Sequence, residues 1–300
     1  MLIPELLALG AATCIATSGM LINELQGRVG LFRLARWQMT AAVLMTGSVS
    51  LAIGGWRSLE AWHLGYLAAS SLFGIMIAST TYFAAIYSAG ARVTALLFSL
   101  TSPFALVLGY LVLGETISLQ QAAGVALVLT GIALAIDSPG AGNTVATTSG
   151  VLTRGVPLSG IVIGIVTALG QAIGNLSARP AMADGVEPFT AMAVRSGLAA
   201  IFFLALTLLP IRRLQSHEPF EWRSLRIGVA ASFFGTGLGM SLLMAALEGG
   251  NVGIVSTLSS MTPVVILPML WLRTGIAPRP TAWMGAVFAV AGTGLISLSL

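Results

Sequence analysis

GARVTALLFSLTSP, residues 90–103, and GNVGIVSTLSSMTP, residues 250–263, align without a gap at a shift of 160. Gly90, Ser99 and Pro103 fall on Gly250, Ser259 and Pro263, and just upstream Ala85 falls on Ala245. Further out, Gly124 and Gly131 fall on Gly285 and Gly292 at a shift of 161, and Arg36 falls on Arg195 at 159. Few residues match, so the shared spacing carries the reading: glycine and proline kept in one register mark equivalent points of a repeated backbone. Each unit holds five apolar runs. An odd number of membrane spans per unit turns the second unit upside down relative to the first. Inverted repeats of this kind hold a solute site at their interface, near the bilayer midplane.

Composition excludes most other classes. Of 300 residues, 56% are hydrophobic and 8% charged, against roughly 25% charged in a soluble domain. The mean hydropathy is +0.95. A soluble fold of this size cannot hide that much apolar surface, so lipid must solvate it. The formal charge of +4 would ordinarily raise nucleic-acid binding, but all 14 basic residues are arginine and stand singly or in pairs between apolar runs. They read as loop and interface anchors, and no nucleic-acid partner is expected. Cys14 is the only cysteine, which rules out an intrachain disulfide, and the two histidines, His63 and His217, read as loop residues.

A spanning helix needs about 20 mostly apolar residues. The charge-poor runs are 6–23, 37–56, 64–91, 93–114, 116–136, 155–178, 196–211, 227–247, 249–272 and 280–300. The seventh is short as counted, and its helix is expected to begin near Pro188, with Arg195 in its first turns. No run alternates as a barrel strand would, so the expected fold is all-α and polytopic: ten transmembrane helices as two inverted five-helix repeats. The repeats are read as 1–137 and 155–300. The Gly-, Ser- and Thr-rich stretch 138–154 reads as a flexible linker. Ser118 and Gln121 are spaced as a capping box for the fifth helix, and Pro280 suits the first turn of the tenth. Trp56, Trp62, Trp222, Trp271 and Trp283 sit near helix ends, and Trp37 begins the second helix, as an aromatic belt requires. The first apolar run carries Glu5, has no basic residue before it and lacks a small-x-small site, so it reads as helix one and not as a cleaved signal.

Leu113-Gly114-Glu115-Thr116, followed by Gln120-Gln121, Gly124 and Gly131, resembles the junction of helices four and five in EamA-type members of the drug/metabolite transporter superfamily. Arg36 and Arg195 in helices two and seven, and Pro103 and Pro263 in helices four and nine, fit the same pattern over nearly the whole chain. The resemblance implies ten helices in duplicated halves, a multi-pass protein of the bacterial inner membrane, and export of small metabolites without a cofactor. Within the superfamily the chain looks most like the amino acid exporters, including the aromatic amino acid exporters. One departure stands out: the counterpart of Gly114-Glu115 is Thr274-Gly275, so the second half lacks the junction carboxylate.

Ionisable groups inside a membrane mark function by default, and this chain has few. Small multidrug members of the superfamily exchange drug for protons through a glutamate deep in helix one. Residues 9–20 here hold no carboxylate, which weighs against that mechanism. Neutral polar residues gather instead in helices one, three, four, six, eight and nine. Thr17, Ser79, Tyr82, Phe98, Ser99, Gln171, Asn175, Ser241, Ser256 and Ser259 are the candidate substrate contacts. A zwitterion needs such neutral donors and acceptors together with helix ends. Any single Ser or Thr has the competing use of bonding its own backbone or a neighbouring helix. Pro103 and Pro263 read as matched hinges. No metal-ligand set, acid–base pair or HExxH appears, so neither an enzyme nor a metal site is expected. A proton-coupled drug exporter and a channel-like or non-transport membrane protein remain the alternatives. The expected partners are a small-molecule substrate and the lipid bilayer, with the protein acting as a monomer. The positive-inside rule favours outside termini, whereas the resemblance implies cytoplasmic ones.

Overall fold

A computed structural model describes residues 2–113, 118–136, 144–147, 150–153, 157–208, 220–249, 252–259, 261–275, 277 and 279–297. The Gly114-Glu115 junction and His217 lie outside these residues. In chain order the first half contains α1 (Leu2–Glu24), α2 (Leu31–Ile53), α3 (Ala61–Ser71), a π-helical segment (Leu72–Ile77), α4 (Ala78–Phe98), α5 (Thr101–Leu113) and α6 (Leu119–Ile136). The second half contains α7 (Leu158–Ala183), α8 (Pro188–Ala205), α9 (Trp222–Ser232), a second π-helical segment (Phe233–Gly239), α10 (Met240–Gly249), α11 (Val252–Ser259), α12 (Thr262–Thr274) and α13 (Pro280–Ser297). The stretch read as a linker carries a short hairpin, β1 (Thr144–Thr147) paired antiparallel with β2 (Gly150–Thr153).

Among the described residues, Ile3–Glu24, Ala61–Phe98, Leu158–Ala183, Pro188–Leu208 and Trp222–Gly249 are long and apolar enough to cross a membrane. Thr101–Val112, Leu119–Gly131 and Pro280–Gly292 are shorter apolar helices. The second helix begins at Leu31, six residues before the apolar run, so Arg33 and Arg36 lie within it. The apolar runs predict helices three, four, eight and nine as continuous. Helices three and eight instead each contain a π segment, and Leu72 and Phe233, where these begin, stand 161 residues apart, the repeat shift. Helix three ends where Gly90 takes φ 83°, a conformation that suits glycine. Helices four and nine are each broken, between Phe98 and Thr101 and between Ser259 and Thr262. Pro103 and Pro263 stand in the first turn of α5 and α12, where a missing N–H breaks no intrahelical bond. The bend therefore lies a turn before each proline. The Ser99 carbonyl accepts from the Ser102 N–H at 3.2 Å, and the Ser259 carbonyl from the Thr262 hydroxyl at 3.2 Å. Ser118 and Gln121 form the reciprocal capping box, at 2.9 and 3.2 Å.

Lipid is as apolar as leucine, so membrane helices associate through close packing of small residues. A Cβ on Gly131 would lie 2.5 Å from the Gly285 carbonyl oxygen, and a Cβ on Gly292 would lie 2.5 Å from that of Gly124. These four glycines are the pairs that align in the repeat. Exchanging the halves turns one contact into the other, which is the signature of a local two-fold axis. Because 124 meets 292 while 131 meets 285, α6 and α13 run antiparallel. Along α7 a glycine face meets α4 and the first π segment: Gly164 seats Leu97, and Gly174 meets Gly74 backbone to backbone.

Polar contacts gather at two ends of the bundle. At one, the Ser58 hydroxyl accepts from the Glu187 N–H at 2.9 Å, and Glu187 caps α8 by accepting from the Phe189 and Thr190 N–H groups at 2.8 and 2.7 Å. His63 is not a loop residue. It is buried in the first turn of α3, where its Nδ1 accepts from the Glu60 N–H and its Nε2 faces Asp184 Oδ2, each at 2.9 Å. With Nδ1 committed as an acceptor, Nε2 carries the proton and donates to the carboxylate. At the other end the Tyr87 hydroxyl donates to the Val29 carbonyl at 2.9 Å, and Gln26 Nε2 donates to the Tyr87 carbonyl at 2.6 Å.

Candidate functional site

A narrow cavity opens between the halves. Its wall takes Ile15, Ser18 and Ile22 from α1, Gln38 from α2, and Ala78, Ser79, Tyr82, Phe83 and Phe98 from α4. The second half adds Thr167 and Gln171 from α7 and Met240 from α10. Gly74 and Ile75 of the first π segment and Gly235 and Thr236 of the second complete it. The two repeat-equivalent irregularities thus face one space. A π turn inserts one residue and loosens the local hydrogen-bond ladder, and such turns are frequent at functional sites.

The wall is apolar and aromatic with a few polar groups, the usual make-up of a small-molecule site. Tyr82 packs edge-on against Phe98, ring centroids 5.8 Å apart, and its hydroxyl lies over Gly19 of α1. Ser18 donates to the Ala231 carbonyl at 2.8 Å, tying α1 to α9 beside the second π segment. Gln171 Nε2 donates to Asn175 Oδ1 at 2.8 Å, and Asn175 Nδ2 donates to the Ser256 hydroxyl at 3.2 Å. This relay joins the cavity wall to α11. Asn175 and Ser256 are both fully buried, so their bonds to each other replace the water they lack.

Of the residues singled out from sequence, Ser79, Tyr82, Phe98 and Gln171 line the cavity, and Asn175 and Ser256 stand behind Gln171. The other four donate to carbonyls of their own helical segments: Thr17 to Thr13 at 2.9 Å, Ser99 to Ala95 at 3.5 Å, Ser241 to Gly237 at 2.6 Å and Ser259 to Ser256 at 3.0 Å. Helix nine, expected in the wall, adds no residue to it among the described residues and connects to it only through the Ser256–Asn175–Gln171 relay. Gln38, which the sequence reading passed over, lines the cavity and is 1% exposed, with no partner for its Nε2 among the described residues. Its signal was present, as an amide within the second apolar run. Arg195 was expected near a helix start. The helix does start at Pro188, yet the Arg195 side chain is 0% exposed, and among the described residues its hydrogen-bond partners are the sulfurs of Met192 and Met244, at 3.2 and 3.1 Å.

No group of three or more His, Cys, Asp or Glu side chains that could hold a metal ion occurs among the described residues. One solved structure, described only as the crystal structure of a protein, shares the fold with a TM-score of 0.73 at 18% identity, covering 98% of this chain and 96% of that one. No curated protein matches the sequence. The EamA-like transporter family matches residues 2–136 and 158–298, one copy on each repeat. The chain is therefore a member of the EamA-like transporter family, a multi-pass membrane protein built from two copies of that unit.

Proposed function

We propose that the protein is a secondary transporter of the bacterial inner membrane that exports a small amphipathic metabolite, an amino acid and in particular an aromatic one, by alternating access. The observation that carries this reading is the cavity at the repeat interface, flanked by a π segment from each half. Its aromatic wall of Tyr82, Phe83 and Phe98 suits an apolar side chain. Ser79, Thr236, Gln38 and Gln171 supply neutral donors and acceptors for a zwitterion. Ten spans in two inverted repeats account for the contacts at the bundle ends. Ser58 and His63, at the entry to α3, meet Glu187 and Asp184 between α7 and α8, while Gln26 and Val29, between α1 and α2, meet Tyr87 near the Gly90 break, as alternate crossings require. The antiparallel two-fold contact of α6 with α13 is what an axis in the membrane plane produces. We take the working unit to be one chain, because both π segments and every residue named on the cavity wall come from it.

The test is uptake of a radiolabelled solute panel into proteoliposomes preloaded with unlabelled solute. A carrier gives saturable uptake that is stimulated from the opposite side. Linear uptake without trans-stimulation would point to a channel, and no uptake of any amino acid would refute the substrate class.

A further inference from the structure

Arg195 is the cation this fold treats most strangely. It lies in the eighth position of α8, seven residues after Pro188, which is about 10 Å along the axis from the helix start. Its side chain is fully buried, and neither Nε nor Nη2 has a hydrogen-bond partner among the described residues. The Met192 and Met244 sulfurs that Nη1 meets are weak acceptors. A guanidinium stays protonated under all ordinary conditions, and a buried charge without an acid partner is destabilising. A merely structural arginine would be expected to hold a carboxylate or backbone carbonyls. This one holds neither, while its own carbonyl accepts from Ser71 Oγ at 2.6 Å and so pins it against the third helix.

Arg195 does not itself line the cavity, but its guanidinium lies directly behind one residue that does. A Cβ on Gly74 would lie 2.8 Å from Arg195 Nη2 and 3.1 Å from the Gly174 Cα, so glycine lets the guanidinium come this close. Gly74 lines the cavity and belongs to the first π segment, where the backbone ladder is loosest. On the cavity side, the Gln38 amide is a second buried donor without a partner among the described residues. One unsatisfied donor thus stands on the wall and another directly behind Gly74, and the fork of an arginine matches a carboxylate bidentately.

We propose that Arg195 is the counter-charge for the substrate carboxylate, reached past Gly74 as the π segment shifts, and that it restricts the cargo to solutes bearing such a group. This inference rests on the transport reading above and names the part of the substrate that is recognised. It separates amino acids and other carboxylates from amines of the same shape.

The test uses purified full-length protein and three probes of one shape: L-phenylalanine, 3-phenylpropionate and 2-phenylethylamine, with binding measured by isothermal titration. The wild type should bind the two carboxylates and disfavour the amine. Arg195→Met should weaken both carboxylates by at least roughly 30-fold, since it removes one partner of a buried charge pair, and should leave the amine unchanged. Arg195→Lys should fall between. Unliganded Arg195→Met should melt no lower than the wild type, because it removes an uncompensated charge and adds a thioether between two others. Unchanged carboxylate binding in Arg195→Met, or equal wild-type binding of all three probes, would overturn the inference and leave the transport reading standing. A melting temperature that falls by many degrees would make Arg195 a structural residue and overturn it too. An Arg195-dependent melting shift with chloride but not with the carboxylates would overturn it in favour of an inorganic anion. Failure of all three probes to bind would remove the amino acid reading and this inference together.

Discussion

Tyr82, Gln171 and Asn175 form a graded series, because one carries a ring on the cavity wall, one an amide on it, and one an amide behind it. Tyr82→Ala removes the ring that packs on Phe98, and Gln171→Ala removes a polar group from the wall. Each is expected to raise the apparent Km by about tenfold, equivalent to roughly 1.4 kcal/mol. Asn175→Ala touches no cavity atom, but it strips partners from both Gln171 and Ser256. A hydrogen bond between membrane helices averages about 0.6 kcal/mol, so a two- to threefold loss of affinity with near-normal expression is expected. Uptake kinetics in proteoliposomes check all three, and unchanged Km in the set would put the site elsewhere. Residues of this kind were only partly legible in the sequence. Buried amides stand out because they are costly to hide, which flagged Gln171 and Asn175 and could have flagged Gln38. Serine and threonine did not discriminate. Thr17, Ser99, Ser241 and Ser259 all bond back to carbonyls of their own segments, a use that no composition count separates from substrate contact.

Among the elements, the broken helices and the glycine crossing make separate predictions. Pro103 and Pro263 open α5 and α12 after breaks at the same register of each half. Pro103→Ala and Pro263→Ala restore a donor to carbonyls that already have partners. They favour a continuous helix over a broken one, so turnover should drop severalfold while substrate affinity changes little. Full turnover in both variants would make the breaks static. At the crossing of α6 and α13, Gly292→Leu drives a side chain into the Gly124 backbone. Overpacking of this kind is expected to cost about 1–3 kcal/mol, seen as a lower melting temperature in detergent, whereas Gly294→Leu, with nothing within 4 Å of its Cβ position, should be silent. Equal effects would deny the crossing its role. The repeat register was legible because small residues at helix crossings leave their spacing in the sequence. The π segments were not legible, since one inserted residue in an apolar helix changes no pattern that a reader can see. The depth of Arg195 was hidden for a related reason: a helix that is apolar nearly all round carries no stripe to say which way a side chain points.

At the scale of the whole molecule, the two halves share one cavity and meet across a two-fold contact, while separate sets of hydrogen bonds tie each end of the bundle. Alternating access follows if the two ends release in turn around the shared cavity. The solitary Cys14 makes this directly measurable. In a Cys14→Ser background, Thr236→Cys places one thiol on the cavity wall within the second π segment. A membrane-impermeant thiol reagent is applied to either face of oriented vesicles while a substrate gradient is imposed in one direction and then the other. The expected result is labelling from both faces, with reversal of the gradient raising the rate from one and lowering it from the other. Fast labelling from both faces at rates that the gradient leaves unchanged would describe an open pore. Labelling from one face under every condition would describe a fixed pocket, and either result would contradict a carrier built on the exchange of its two halves.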